Sequence, residues 1–122
     1  MTTSEIATVL AWHDALNDND FDTLVSLSSD DIEVGDRNGA AQGHPALVDW
    51  ARSAGVRAEP GRIYVHDGVV VVEQQITSPT GDTHTVASAF RVVHDQVTSV
   101  FRHDDVASAL AATDLTEHDL AT

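Results

Sequence analysis

From residue 58 to about 104, apolar side chains recur at every second position. Each run is cut by a turn signal, Asp67-Gly68, then Pro79-Thr80-Gly81-Asp82, then His94-Asp95-Gln96. A period of two sustained through four runs, 59–66, 69–77, 83–93 and 97–104, commits this half of the chain to an antiparallel meander. Successive strand side chains alternate between faces, so the turns also fix the register. Across Asp67-Gly68, Val65 faces Val70, Ile63 faces Val72, Tyr64 faces Val71, and Arg62 faces Glu73 as an exposed ion pair. Carried onward, the count puts Val65, Val70, Phe90 and Val100 in one row and Ile63, Val72, Ser88 and Arg102 beside it, on the more aliphatic face that helices should cover. The other face carries Tyr64, Val71, Ala89 and Phe101, flanked by Arg62, Glu73, Ala87 and His103, and is expected to be partly exposed.

The first half has the helical period instead. Ile6, Val9, Leu10, His13 and Leu16 form a stripe over 4–17, with Thr2 and Glu5 arranged as a capping box. Asn17-Asp18-Asn19-Asp20 breaks it, and Asp20 caps a short helix with Phe21, Leu24, Val25 and Ser28 on one side. Ile32 and Val34 alternate in a short strand that Asn38-Gly39 turns. Pro45 then opens a third helix that buries Leu47, Trp50, Ala51 and Ala54 and ends near Gly55. Val106, Ala109 and Leu110 suggest a last helical turn or two, followed by an acidic tail, 113–122, expected to be loose. A chain of 122 residues fits one domain, 1–122, with a core over about 4–112.

Twenty Asp and Glu against six Arg, with a formal net charge of −14, exclude nucleic acid and anionic membrane surfaces as partners. The absence of cysteine removes thiol catalysis and Cys-based metal sites. Met1–Glu5 has no basic leader and no apolar run approaches a membrane span, which places the chain in the cytoplasm. Five of the seven histidines precede Asp, but none pairs with another at i, i+4 on a helix, so no metal site is expected.

Several segments together carry a family resemblance. They are Trp12-His13-Asp14-Ala15-Leu16-Asn17 with Asp20 and Leu24; Leu27-Ser28-Ser29-Asp30-Asp31-Ile32-Glu33-Val34; Gly43, Leu47 and Trp50; and Phe90-Arg91-Val92 with Val97, Arg102 and Asp105. Over about residues 4–112 the chain resembles the nuclear transport factor 2-like superfamily, particularly its SnoaL-like branch. The resemblance implies an α+β fold, a cone-shaped curved antiparallel sheet wrapped around the N-terminal helices, with a small-molecule cavity and no cofactor. It implies no single reaction, because the superfamily includes ketosteroid isomerase, scytalone dehydratase, limonene epoxide hydrolase, polyketide cyclases and members that only bind or dimerise. Asp36 matches by position the isomerase's proton-transfer base, while His13 and Ser88 fall where its oxyanion donors stand. The alternative for Asp36 is a turn residue capping local backbone.

The residues themselves add to that site. Arg102 and Asp104 lie two apart on the last strand, about 6–7 Å along it, and both should face the helices. They are either a pocket-floor network with Asp36, which would resemble the epoxide hydrolase's Asp-Arg-Asp logic, or an ion pair at the open end. Helical phase centres His13 on the buried stripe, as a core group or a pocket donor. Gln74 and His84 are inward by parity and are read as rim groups. The candidate catalytic set is therefore Asp36, His13 and Arg102, and the ligand-binding set Ser88, Asp104, Trp50, Gln74 and Phe90. Two functions compete: cofactor-free proton transfer on an apolar, oxygen-bearing metabolite, and a non-catalytic homodimeric binding module. The homodimer is expected through the band Tyr64, Val71, Ala89 and Phe101.

Overall fold

The computed structural model describes residues 2–36, 38–54 and 57–121, the side chains of residues 2–4, 53 and 54 excepted. The elements run α1 (Thr2–Asn17), α2 (Phe21–Ser26), β1 (Ser28–Asp36), β2 (Gly39–Gln42), α3 (His44–Ala54), β3 (Arg57–His66), β4 (Val69–Thr77), β5 (Thr83–Val93), β6 (Gln96–His103) and α4 (Val106–Thr113). A single 3-10 turn, Glu117–Asp119, follows. This is the α+β architecture expected, a six-stranded curved sheet in the order β2-β1-β6-β5-β4-β3. Asp20 caps α2 as expected, accepting from the Thr23 amide at 3.3 Å and the Thr23 hydroxyl at 2.7 Å. The capping box read at Thr2 and Glu5, the burial of Ala54 and the stop at Gly55 lie outside the described residues.

The meander has the counted register. Val65, Val70, Phe90 and Val100 are consecutive partners, as are Ile63, Val72, Ser88 and Arg102, and Tyr64, Val71, Ala89 and Phe101. Asp67 and Gly68 both adopt positive φ, 48° and 82°, the geometry that lets a two-residue turn follow the strand twist. Two local differences interrupt the ladders. Gln96, read as part of the last turn, is instead paired with Val93, so the turn is His94-Asp95 alone, and the register shifts by one between Arg91 and Val92. In β3, Gly61 and Arg62 together oppose Glu73. This bulge follows Pro60, which has no N–H to give the ladder. Arg62 still reaches Glu73, Nε to Oε1 at 3.8 Å.

The sheet is not antiparallel throughout. β1 begins at Ser28, a residue that helical spacing alone places on the second helix. It pairs parallel with β6, and β2 is an added edge hairpin on its far side. A parallel neighbour joined through about half of the chain leaves no local turn signal, so a reading by period could not find it.

The core lies on the expected face. Val9, Trp12 and Leu16 of α1, Leu24 of α2 and Leu47 of α3 pack on Ile32, Ile63, Val70, Val72, Phe90 and Val100. The outer face differs from expectation. Tyr64, Val71 and Ala87 are buried there together with Ala109 of α4 and Leu115. The tail is not loose through residue 121. The Ala121 amide donates to the Ile63 carbonyl at 2.7 Å, Leu120 bridges to Tyr64, and Thr116 and Asp119 close a capping box. Of the band expected to receive a second copy, Tyr64, Val71 and Ala89 thus have cover from within the chain, while Phe101 is half-buried.

Leu115 is the apolar anchor of this clip. Leu115→Ala should lower stability by about 2–5 kcal/mol, seen as an earlier denaturant midpoint with little change in far-ultraviolet circular dichroism.

Candidate functional site

Inside the cone the polar groups form one directed chain. The Val9 carbonyl can only accept, so His13 Nδ1, at 2.8 Å, carries the proton and donates to it. In the neutral ring Nε2 is then an acceptor, and the Gln74 amide N–H donates to it at 2.8 Å. The Gln74 Oε1 is left to accept from the Ser88 hydroxyl at 2.7 Å. His13, Gln74 and Ser88 are at most 1% exposed, as are Trp12 and Phe90 around them. The Phe90 ring centroid lies 5.3 Å from both the Trp12 and the His13 rings, and the Trp12 indole N–H donates to the Ser28 hydroxyl of β1 at 3.1 Å. Space at this depth is occupied by protein. Burial pushes the His13 pKa below the ordinary imidazole value. The Val9 hydrogen bond and Asp14 oppose that shift, and Arg102 adds to it.

The open end of the sheet carries the charged residues. Arg102 is the register partner of Ser88 on β6 and so points to the helix-covered side, as parity requires. Its guanidinium lies over the Trp50 ring of α3, 5.4 Å from the centroid. Its Nε is buried and has no hydrogen-bond partner among the described residues. Burial lowers the Arg102 pKa and the negative charge of Asp36 raises it, and the group remains a cation. Asp36, at the end of β1, is exposed, and its Oδ1 accepts the Asn38 amide at 2.8 Å across the β1–β2 turn. Arg102, Asp36 and Asp104 line a cavity of about 220 Å³ with Phe101, His103 and Ser108. The same three residues border a second cavity of about 310 Å³, together with His84.

The structure therefore divides the candidate residues into two groups. Asp36, Arg102 and Asp104 meet at the mouth, and Trp50 stacks on Arg102 without lining either cavity. Asp104 reaches the mouth from the bend after β6, which ends at His103, so strand parity does not govern it. His13, Ser88, Gln74 and Phe90 lie behind them in the packed interior. Gln74, assigned to the rim, is instead a core residue, whereas His84 is exposed at the rim as expected. His103 lines both mouth cavities and was read only as an outer-face flank. No strand-parity signal could reveal it, because it reaches the mouth from the end of its strand. Among the described residues no cluster of three or more potential metal ligands occurs. No helix of the described residues is long and apolar enough to cross a membrane.

The family profile of the SnoaL-like domain matches residues 9–107. Nothing among curated proteins matches the chain. Of the solved structures, an NTF2-like protein of unknown function from Cytophaga hutchinsonii is similar with a TM-score of 0.75 and 14% identity, over 85% of this chain and 92% of that one. An LEH-like epoxide hydrolase of M. tuberculosis also gives 0.75, at 22% identity over 90% and 89%. TerC, co-crystallized with polyporic acid, gives 0.69 at 20% identity over 92% and 97%. Identities this low carry the fold alone.

The His13 chain makes stability depend on pH. A folded pKa below the unfolded value of about 6.5 means that the unfolded state binds the proton first. Its stabilising contribution is complete above that value and is lost as pH falls from about 6.5 toward the folded pKa, by at most about 1.4 kcal/mol per pH unit. Urea titrations at stepped pH should show this slope in the wild type and less of it in His13→Gln. Gln74→Leu, which strands His13 Nε2 and the Ser88 hydroxyl, should cost about 1–3 kcal/mol for each orphaned group.

Proposed function

Because the chain belongs to the SnoaL-like domain family, we propose that it takes a small, apolar, oxygen-bearing metabolite at the mouth of its sheet and transfers a proton on it without a cofactor. In this reading Arg102 holds the ligand oxygen, Trp50 supports its apolar body beside the guanidinium, and Asp36 accepts the proton. Asp104 and His84 border the same space. His13, Gln74, Ser88 and Phe90 form the floor that sets the depth of Arg102.

The observation that carries the reading is Arg102 itself. It is a cation drawn out of water onto Trp50, with one donor unpaired, next to a carboxylate at a concave opening. An unpaired buried donor costs about 1–3 kcal/mol, and reorientation of the guanidinium onto a ligand oxygen would recover that cost. Charge developing on the oxygen as Asp36 removes a proton would be stabilised by the same guanidinium in a partly water-excluded position. Two structural neighbours fit a ligand of this kind: one is an epoxide hydrolase, and another was crystallised with polyporic acid.

A second reading, binding without turnover, is favoured by one feature. Asp36 is exposed and engaged with its own turn through the Asn38 amide.

The test is a metabolite screen by thermal shift, followed by turnover assays on the hits. Arg102→Ala should abolish the shift. Asp36→Asn should bind within about twofold of wild type and turn over about 10²–10⁴-fold more slowly, the usual contribution of a positioned base. Undiminished turnover in Asp36→Asn would remove Asp36 from the chemistry. Binding by every variant with no reaction would favour the second reading.

A further inference from the structure

A second space lies on the opposite side of the sheet from the mouth's Trp50 wall. α4 crosses the outer face over β4, β5 and β6 but does not fill the angle it makes with them. The result is a groove of about 450 Å³, within the range of small-molecule sites. Its floor is made by outward residues of three neighbouring strands, Val69, Ala89 and Phe101, and its far wall is Ala112 of α4. The volume has a sequence origin. Ala89, Ser99, Ala112 and Thr113 are all small, so neither the sheet nor the helix reaches across.

The groove is also held open. Asp105 caps α4 by accepting the Ser108 amide at 2.8 Å. Leu115 is buried beyond its end, and the Ala121 amide is tied to Ile63 at 2.7 Å. A helix fixed at both ends cannot collapse onto the sheet without breaking these contacts, so a ligand would find the site preformed.

Its charge sets it apart from the rest of the molecule. Acids outnumber Lys and Arg by 20 to 6 in the chain, whereas in the groove one Arg, Arg91, balances one acid, Asp114. Arg91 and His103 stand on the same outward face as Ala89 and Phe101, in the rows on either side of that pair, and so at opposite ends of the groove.

From this juxtaposition we infer that the groove between α4 and the outer face of β5 and β6 is a binding site for a small amphipathic anion. The apolar body lies on Val69, Ala89 and Phe101, and the anionic group is taken by Arg91 at one end of the groove. The groove adjoins the mouth, since Phe101 and His103 also line the smaller mouth cavity, but Arg102 and Asp36 are not part of it.

The probe is 8-anilinonaphthalene-1-sulfonate, an apolar ring system with one negative charge, titrated into the full chain and followed by its fluorescence. One saturable site is expected. Ala112→Trp, a change at an exposed wall position, should weaken it at least about tenfold, and Arg91→Gln should weaken it several-fold. Arg102→Ala, which alters the mouth, should leave it within about twofold. Near-ultraviolet circular dichroism checks that each variant is folded, and Ser99→Phe fills the groove from the sheet side if Ala112→Trp is not. Absence of a saturable site, wild-type affinity in the folded groove-filling variants, or loss of binding in Arg102→Ala would each overturn the inference. So would sedimentation showing a wild-type dimer that Ala112→Trp dissociates, since the groove would then belong to a second copy.

Discussion

Three hydrogen bonds in series, Ser88 to Gln74, Gln74 to His13 and His13 to the Val9 carbonyl, join β5, β4 and α1 through the middle of the fold. Every donor in the series has one acceptor and the direction of the chain is forced from its end, since a carbonyl cannot donate. Polar groups buried this deeply stabilise a structure only when all are satisfied, and a single break leaves its neighbours costly. Around the series, Trp12 and Phe90 pack edge-on at 5.3 Å and exclude water. The cone is thereby closed at depth, and the nearest place where a ligand could meet charged protein groups moves outward to Arg102.

β6 organises what remains. Alternation sends Arg102 to the helix side, against Trp50, and sends Phe101 and His103 to the other. One strand thus furnishes a guanidinium to the mouth and an aromatic floor to the outer groove. The two spaces differ in character because the helices that face them differ. α3 offers an indole that stacks on a cation, whereas α4 offers alanines that leave a gap.

The register of the meander was legible because hairpin turns are local. Counting across the successive turns places Ser88 opposite Arg102 with no knowledge of the helices. Parity gives a face but not a depth, so it cannot tell a rim Gln74 from the core residue that it is. Its burial depends on where α1 docks, and on His13 lying within 2.8 Å of its amide. The parallel β1–β6 pairing is set by tertiary packing and has no sequence period of its own. The docked tail did have a signal, Thr116 followed three residues later by Asp119 between Leu115 and Leu120, but the acidic composition of the segment concealed it.

The packed interior stands or falls on the state of one imidazole, which long-range proton–nitrogen NMR of uniformly labelled protein reads directly. At about pH 6, where an exposed histidine is largely protonated, His13 should still be neutral, with Nδ1 carrying the proton and Nε2 showing the shift of an unprotonated acceptor. A charged ring at that pH, or the opposite tautomer, would contradict the hydrogen-bond chain and reopen the interior of the cone as a place for a ligand.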